Sequence, residues 1–249
     1  MRDDRELDGA WRRHQTHSRL APAADLAPFV DHYWAVTWAY AEPYRQKVPP
    51  SVSVHVTARD GDPPVWQGVT TRHVVRELGG RGGVVGAALR PGTARAVLGR
   101  PVRTLTDAST PAGGPAGIVG TGALEAWLRT LLPATPSPAA LEAAAAVDLV
   151  RTDPGITRVE ELARRCGCHV RRLQRLFAEH VGVGPKWVVR RYRLHEVTER
   201  LDAGRAVAWA QVAAELGFAD QAHLVREFTA LVGESPTAYA ARYPPGEIL

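Results

Sequence analysis

A chain of 249 residues with 45% hydrophobic and 23% charged side chains can build the cores of two ordinary domains, which excludes a disordered or fibrous protein. No apolar run is long enough to span a bilayer, and residues 1–6 are charged with no hydrophobic stretch behind them, so a cytoplasmic protein without a membrane partner is expected. The formal net charge of +5 favours polyanionic partners, but only Lys47 and Lys186 are lysines, and this arginine bias makes net charge alone a weak clue.

Residues 1–24 are polar and rich in proline and alanine, and are expected to be loosely held. From 25 to 132 the texture is that of a β-rich regulatory or dimerisation domain ending in helices. Strands are expected over 32–40, 51–57, 65–69, 72–78 and 84–89; Val52, Val54 and Val56, for example, alternate with Ser53 and His55, and period-two alternation buries one face. The turn signals are Asp60-Gly61-Asp62-Pro63 and Gly79-Gly80-Arg81-Gly82-Gly83, the second read as a hairpin tip. Several short strands at this spacing suggest a small barrel or sandwich. Trp34, Trp38, Tyr40 and Trp66 on these strands suit either a core or the wall of a pocket for an apolar or planar effector.

His32, His55 and His73 also fall on expected strands, but they lack the close His-x-His spacing and acidic partner of a barrel metal site. No nucleophile elbow is present, and the glycine cluster is not followed by the helix and lysine of a phosphate-binding loop. The residues therefore assign no metal, cofactor or catalytic set, and an enzyme is not expected.

After Pro91-Gly92 the pattern turns helical over 93–98 and 122–132. The second stretch carries Leu124, Trp127, Leu128 and Leu131 on one face, which suits packing on the barrel or on a second copy of the chain. Pro133, Pro136 and Pro138 mark a linker over 133–140. The remainder, 141–249, reads as an all-helical domain whose first, alanine-rich helix covers 141–152 and ends at Asp153-Pro154-Gly155.

Two helix-turn-helix patterns follow in tandem, over 162–177 and 212–228. Each has a short helix, a turn at glycine (Gly167, Gly217) and a second helix with apolar residues four apart: Leu173 and Phe177 in the first, Leu224 and Phe228 in the second. That spacing buries one face and frees the other. On the free faces lie Arg171, Arg172, Gln174 and Arg175, then Gln221, His223 and Arg226, side-chain types that read base edges. Between the units, 182–201 opens on Gly184-Pro185 and reads as one amphipathic helix. From Arg151 to Arg193 there are eleven Lys/Arg against four Asp/Glu, where phosphate contacts would be needed.

Over roughly 143–243 the sequence resembles the AraC/XylS family of bacterial transcriptional regulators, through Leu-Gln-Arg-Leu-Phe (173–177), Arg-Tyr-Arg-Leu (191–194), Gly-Phe-Ala-Asp-Gln-Ala-His-Leu (217–224) and Gly-Glu-Ser-Pro (233–236). The resemblance implies base reading by Arg171, Gln174 and Arg175 in one major groove and by Gln221, His223 and Arg226 in the next, about one helical turn away. Arg172, Arg190, Arg191 and Arg193 are expected on phosphates. It also implies, more loosely, that 25–132 is a cupin-like sensor barrel; a small-molecule effector, RNA polymerase and a second copy of the chain are candidate partners beside double-stranded DNA. One departure is His169, standing where the family usually has a serine cap. Cys166, Cys168 and His169 supply three metal-ligating types, but the spacing is too close for an ordinary zinc site and the fourth ligand is lacking.

The expected fold is thus a two-domain α+β chain, and the expected function is effector-responsive, sequence-specific DNA binding. Two rivals stand beside it: a metal-dependent or DNA-modifying enzyme targeted by the tandem units, and a non-specific architectural DNA-binding protein.

Overall fold

Two long antiparallel strands, β2 (Val30–Val48) and β5 (Val74–Leu89), pair along most of their length and form the spine of the amino-terminal half. The computed structural model describes residues 14–59, 61–202 and 208–242. Around the spine, β1 (Gln15–Leu20) pairs with β2, β3 (His55–Arg59) with β5 and β4 (Val65–Gln67), and β6 (Ser109–Pro111) with β4, all antiparallel. The resulting order is β1-β2-β5-β3-β4-β6.

Because β1 and β6 lie at opposite ends of that order, the sheet is open, and the expected barrel is corrected to an open antiparallel sheet. One face of it is covered by helix, and strand pairing does not close it. Leu124 and Leu128 of α2 (Gly120–Leu131) are fully buried in one cluster with Tyr33, Val56, Ala87 and Leu89, and the Trp127 and Trp66 rings lie 6.1 Å apart. Ahead of α2 come the short helix α1 (Arg95–Leu98) and a 3-10 turn, Val102–Leu105.

Two further expectations change. The glycine cluster is the middle of β5, not a hairpin tip. Trp38 stands opposite Gly82 and Trp34 opposite Gly86, and a Cβ on either glycine would come within 2.5 Å of the indole it faces. The glycines make room for rings lying flat on the neighbouring strand, a close approach that only a missing side chain allows. Residues 15–20, expected to be loose, are an edge strand, with the Gln15 side chain donating to the Tyr40 hydroxyl at 2.8 Å. Residues 1–13 of that segment lie outside the described residues.

The helical half begins at α3 (Pro138–Thr152), three residues earlier than the alanine pattern suggested. Ser137 accepts the Ala140 N–H at 3.2 Å and Pro138 takes the first turn, a favourable start since proline lacks an amide that would be unpaired there anyway. Ala140, Ala143, Val147 and Val150 form its buried stripe. Then come α4 (Val159–Arg165), α5 (Val170–His180), α6 (Pro185–Asp202), α7 (Trp209–Glu215), α8 (Gln221–Val232) and α9 (Pro236–Arg242).

The core does not divide at the proline-rich segment. One cluster runs from Phe29 and Tyr33 of the sheet through Val102 and Leu105 to Leu162, Leu173, Phe177 and Val188. A second holds Leu194, Val197, Val212, Leu216, Leu224 and Phe228. Helix α6 passes from the first cluster into the second, so its two ends belong to different cores. Among the described residues no helix is long and apolar enough to cross a membrane.

Candidate nucleic-acid interface

The two helix pairs α4–α5 and α7–α8 repeat one local geometry. Gly167 and Gly217 both adopt left-handed backbone, φ 62° and 68°, and each donates to the residue three before it, Arg164 and Ala214. The next amides, Cys168 and Phe218, return to the carbonyls of Ala163 and Ala213 at 3.0 and 2.8 Å. This closes each first helix and sets the angle of the second. Below the turns Leu173 and Phe177, and equally Leu224 and Phe228, are fully buried.

With those faces committed inward, Arg171, Gln174 and Arg175 of α5 and Gln221 and Arg226 of α8 are exposed. The structure therefore places five of the six expected base readers on solvent-facing surfaces of second helices. The sixth, His223, is partly covered. Its Nδ1 lies 3.3 Å from the Ala219 amide, its ring meets Phe218 edge-on at 5.5 Å, and its Nε2 is 4.0 Å from Glu227.

The two helices start differently. Asp220 caps α8, its carboxylate accepting the His223 N–H at 2.6 Å. His169 caps α5 with no side-chain hydrogen bond, as its departure from serine foretold.

The arginines expected on phosphates are largely engaged by protein. Arg190 pairs with Glu227 at 2.9 Å. Arg191 donates through Nε to the Pro50 carbonyl at 2.9 Å, and burial pushes its guanidinium below the ordinary arginine range. Arg193 stacks over the Phe218 ring at 4.2 Å and is likewise pushed down by burial. Arg172 is exposed but paired with Glu142 of α3 at 2.6 Å. In this structure the α6 arginines are thus held by protein: Arg190 by an ion pair, Arg191 by a backbone carbonyl and Arg193 by an aromatic ring.

The sheet domain touches both units. Glu179, at the far end of α5 from the base readers, is paired with Arg95 and Arg103, and the Thr106 hydroxyl donates to the Gly182 carbonyl at 2.6 Å. His180 Nδ1 lies 3.3 Å from the Gly92 carbonyl. On the second unit, the His73 amide donates to the Leu231 carbonyl at 3.2 Å, and its ring rests on Gly233. Sequence reasoning missed this set, since none of these contacts joins residues near in the chain.

The four candidate pocket aromatics do not converge. Trp66 belongs to the main core, while Trp38 and Tyr40 pack with Tyr44 and Leu78 on the opposite sheet face. Trp34 lies over Gly86 and donates its indole N–H to His55 Nδ1 at 3.2 Å. Cys166 and Cys168 are free and half-buried, and among the described residues no three His, Cys, Asp or Glu side chains gather as metal ligands would.

In comparison with known families, residues 162–242, spanning both units, match the model of a helix-turn-helix domain. The matched residues lie within the stretch over which the sequence resembles the AraC/XylS family. Residues 18–111 match a domain of unknown function, DUF6597, which covers the sheet from β1 to β6.

Among solved structures, the DNA-binding domain of AdpA, described as a global transcriptional factor in complex with a target DNA, is 27% identical with a TM-score of 0.34, over 42% of this chain and 91% of that one. ToxT from Vibrio cholerae is 10% identical with a TM-score of 0.45, over 92% of this chain and 97% of that one. No curated protein matches the chain.

Proposed function

We propose that this AraC/XylS-type protein is a sequence-specific DNA-binding transcription regulator whose sheet domain governs how its two readers are presented. The observation that carries the reading is the repeated geometry of α4–α5 and α7–α8, with Arg171, Gln174 and Arg175 on one exposed face and Gln221 and Arg226 on the other. Recognition helices of this kind enter the major groove by their first turns, and these side chains sit there. With two units on one helix, a single chain can engage two successive grooves of double-stranded DNA. Phosphate contacts fall to helix-start amides and to exposed Arg172 and Lys186 rather than to the α6 arginines.

Selection of bound fragments from random and genomic duplexes tests the reading. A regulator is expected to prefer its site by at least ~10³-fold over random DNA, and near-equal affinity for both would instead indicate an architectural protein. Arg175→Ala is expected to relax preference at one base pair in one half of the site, and Arg226→Ala at one in the other half, each by ~1–3 kcal/mol. Wild-type preference retained by both variants would overturn the assignment of these residues.

A further inference from the structure

The start of α8 holds a polar arrangement that its helical fold does not require. His223 stands three residues after the cap Asp220, which already takes its backbone N–H. The ring turns back, with Nδ1 3.3 Å from the Ala219 nitrogen. A backbone amide can only donate, so Nδ1 accepts, and in the neutral ring the proton sits on Nε2. The pairing is reciprocal in the manner of a capping box: one side chain receives a helix amide while the helix residue receives an amide ahead of the helix.

On the other side of the ring, Nε2 lies 4.0 Å from Glu227 Oε1, a carboxylate held by Arg190 of α6 at 2.9 Å. A negative charge beside Nε2 favours a proton there, and the edge-on Phe218 ring fixes the imidazole plane. At 4.0 Å the Nε2–H is oriented by Glu227 without being consumed by it, and the side chain is 41% exposed.

We propose that Arg190 and Glu227 are positioning residues which, with the Ala219 amide, present His223 to the major groove as an Nε2–H donor that reads only base-edge acceptors. The proposal rests on the reading of α8 as a recognition helix. A donor pairs with guanine O6 or N7, adenine N7 or thymine O4, and is left without a partner opposite the cytosine amine. His223 thereby acts as a discriminator of fixed polarity.

Long-range proton–nitrogen NMR of the full chain, labelled at histidine and assigned through His223→Gln, reads the tautomer directly. The Nε2–H pattern is expected, and Glu227→Gln should shift it toward a mixture of tautomers, a change that lost helix stability alone would not produce. In site selection, His223→Ala is expected to relax one base-pair preference in the α8 half of the site by about 3- to 10-fold, the value of one hydrogen bond. Glu227→Gln and Arg190→Ala should relax the same pair by less, Arg190→Lys should restore it, and the α5 half should be unchanged.

An Nδ1–H tautomer in the wild type would overturn the proposal even where a sequence is selected. So would a Glu227→Gln variant with wild-type tautomer and wild-type preference. A wild type that selects no sequence while His223 carries the Nε2 proton would instead sink the regulator reading.

Discussion

Hydrogen-bond donors that cannot accept decide the state of a second histidine. His55 on β3 receives the Trp34 indole N–H at Nδ1 and faces the Ser51 hydroxyl with Nε2 at 3.1 Å, so this ring is neutral with its proton on Nε2. Burial, reinforced by His32, pushes its pKa down from 6.5 to about 4. Above pH 6.5 the ring is neutral in folded and unfolded chains and has no effect on stability. As pH falls from 6.5 toward 4 the unfolded chain binds a proton that the folded one refuses, so stability drops, and the loss levels off below about 4. The full difference is about 3 kcal/mol at most. Denaturant midpoints measured across that range are expected to fall steeply for the wild type and less for His55→Gln. Equal slopes would show that other groups dominate. The exposed faces of α5 and α8 were legible in the sequence because helical spacing alone decides which face is free; the protein partners of the α6 arginines were not, because a charge pattern does not say what packs against it.

At the scale of elements, the two second helices offer an internal comparison. Helix α8 starts on a bonded Asp220 cap and α5 on an unbonded His169. Serine at that position could accept an amide of the first turn, and capping side chains are worth ~1 kcal/mol. His169→Ser is therefore expected to raise stability by about 0.5–1 kcal/mol, and Asp220→Ala to lower it by about 1, both measurable by thermal or denaturant unfolding. A His169→Ser variant no more stable than wild type would mean that the α5 start is already satisfied by other means. The strands were less legible than the helices. A run of glycines reads locally as a turn, and what keeps β5 extended through Gly82 and Gly86 is a pair of tryptophans on β2, 44 and 52 residues earlier. Barrel closure failed as an expectation for a similar reason, since nothing local in α2 announces that its Leu124 and Leu128 cover a face of the sheet.

For the molecule as a whole, the shared core predicts that the two units depend unequally on the sheet domain. The first unit, through Leu162, Leu173 and Phe177, is packed in the cluster that contains Val102 and Leu105, whereas Leu224 and Phe228 lie in a cluster made by the second unit and the end of α6. A fragment from Ser137 onward is expected to keep the second unit folded and to lose protection in the first. Hydrogen exchange should show faster exchange at Leu173 and Phe177 in the fragment than in the full chain, with Leu224 and Phe228 little changed. Uniform protection would mean that the proline-rich segment is a true domain boundary.

Helix α6 has a geometric consequence for the DNA. A helix anchored in two cores behaves as a ruler: its 18 residues span ~27 Å, and each residue added or removed would shift one reader by ~1.5 Å and turn it by ~100° about the axis. The phase between the two halves of the target is then stored in the protein as a residue count, so a binding site with altered spacing has no flexible joint in this helix to absorb the change.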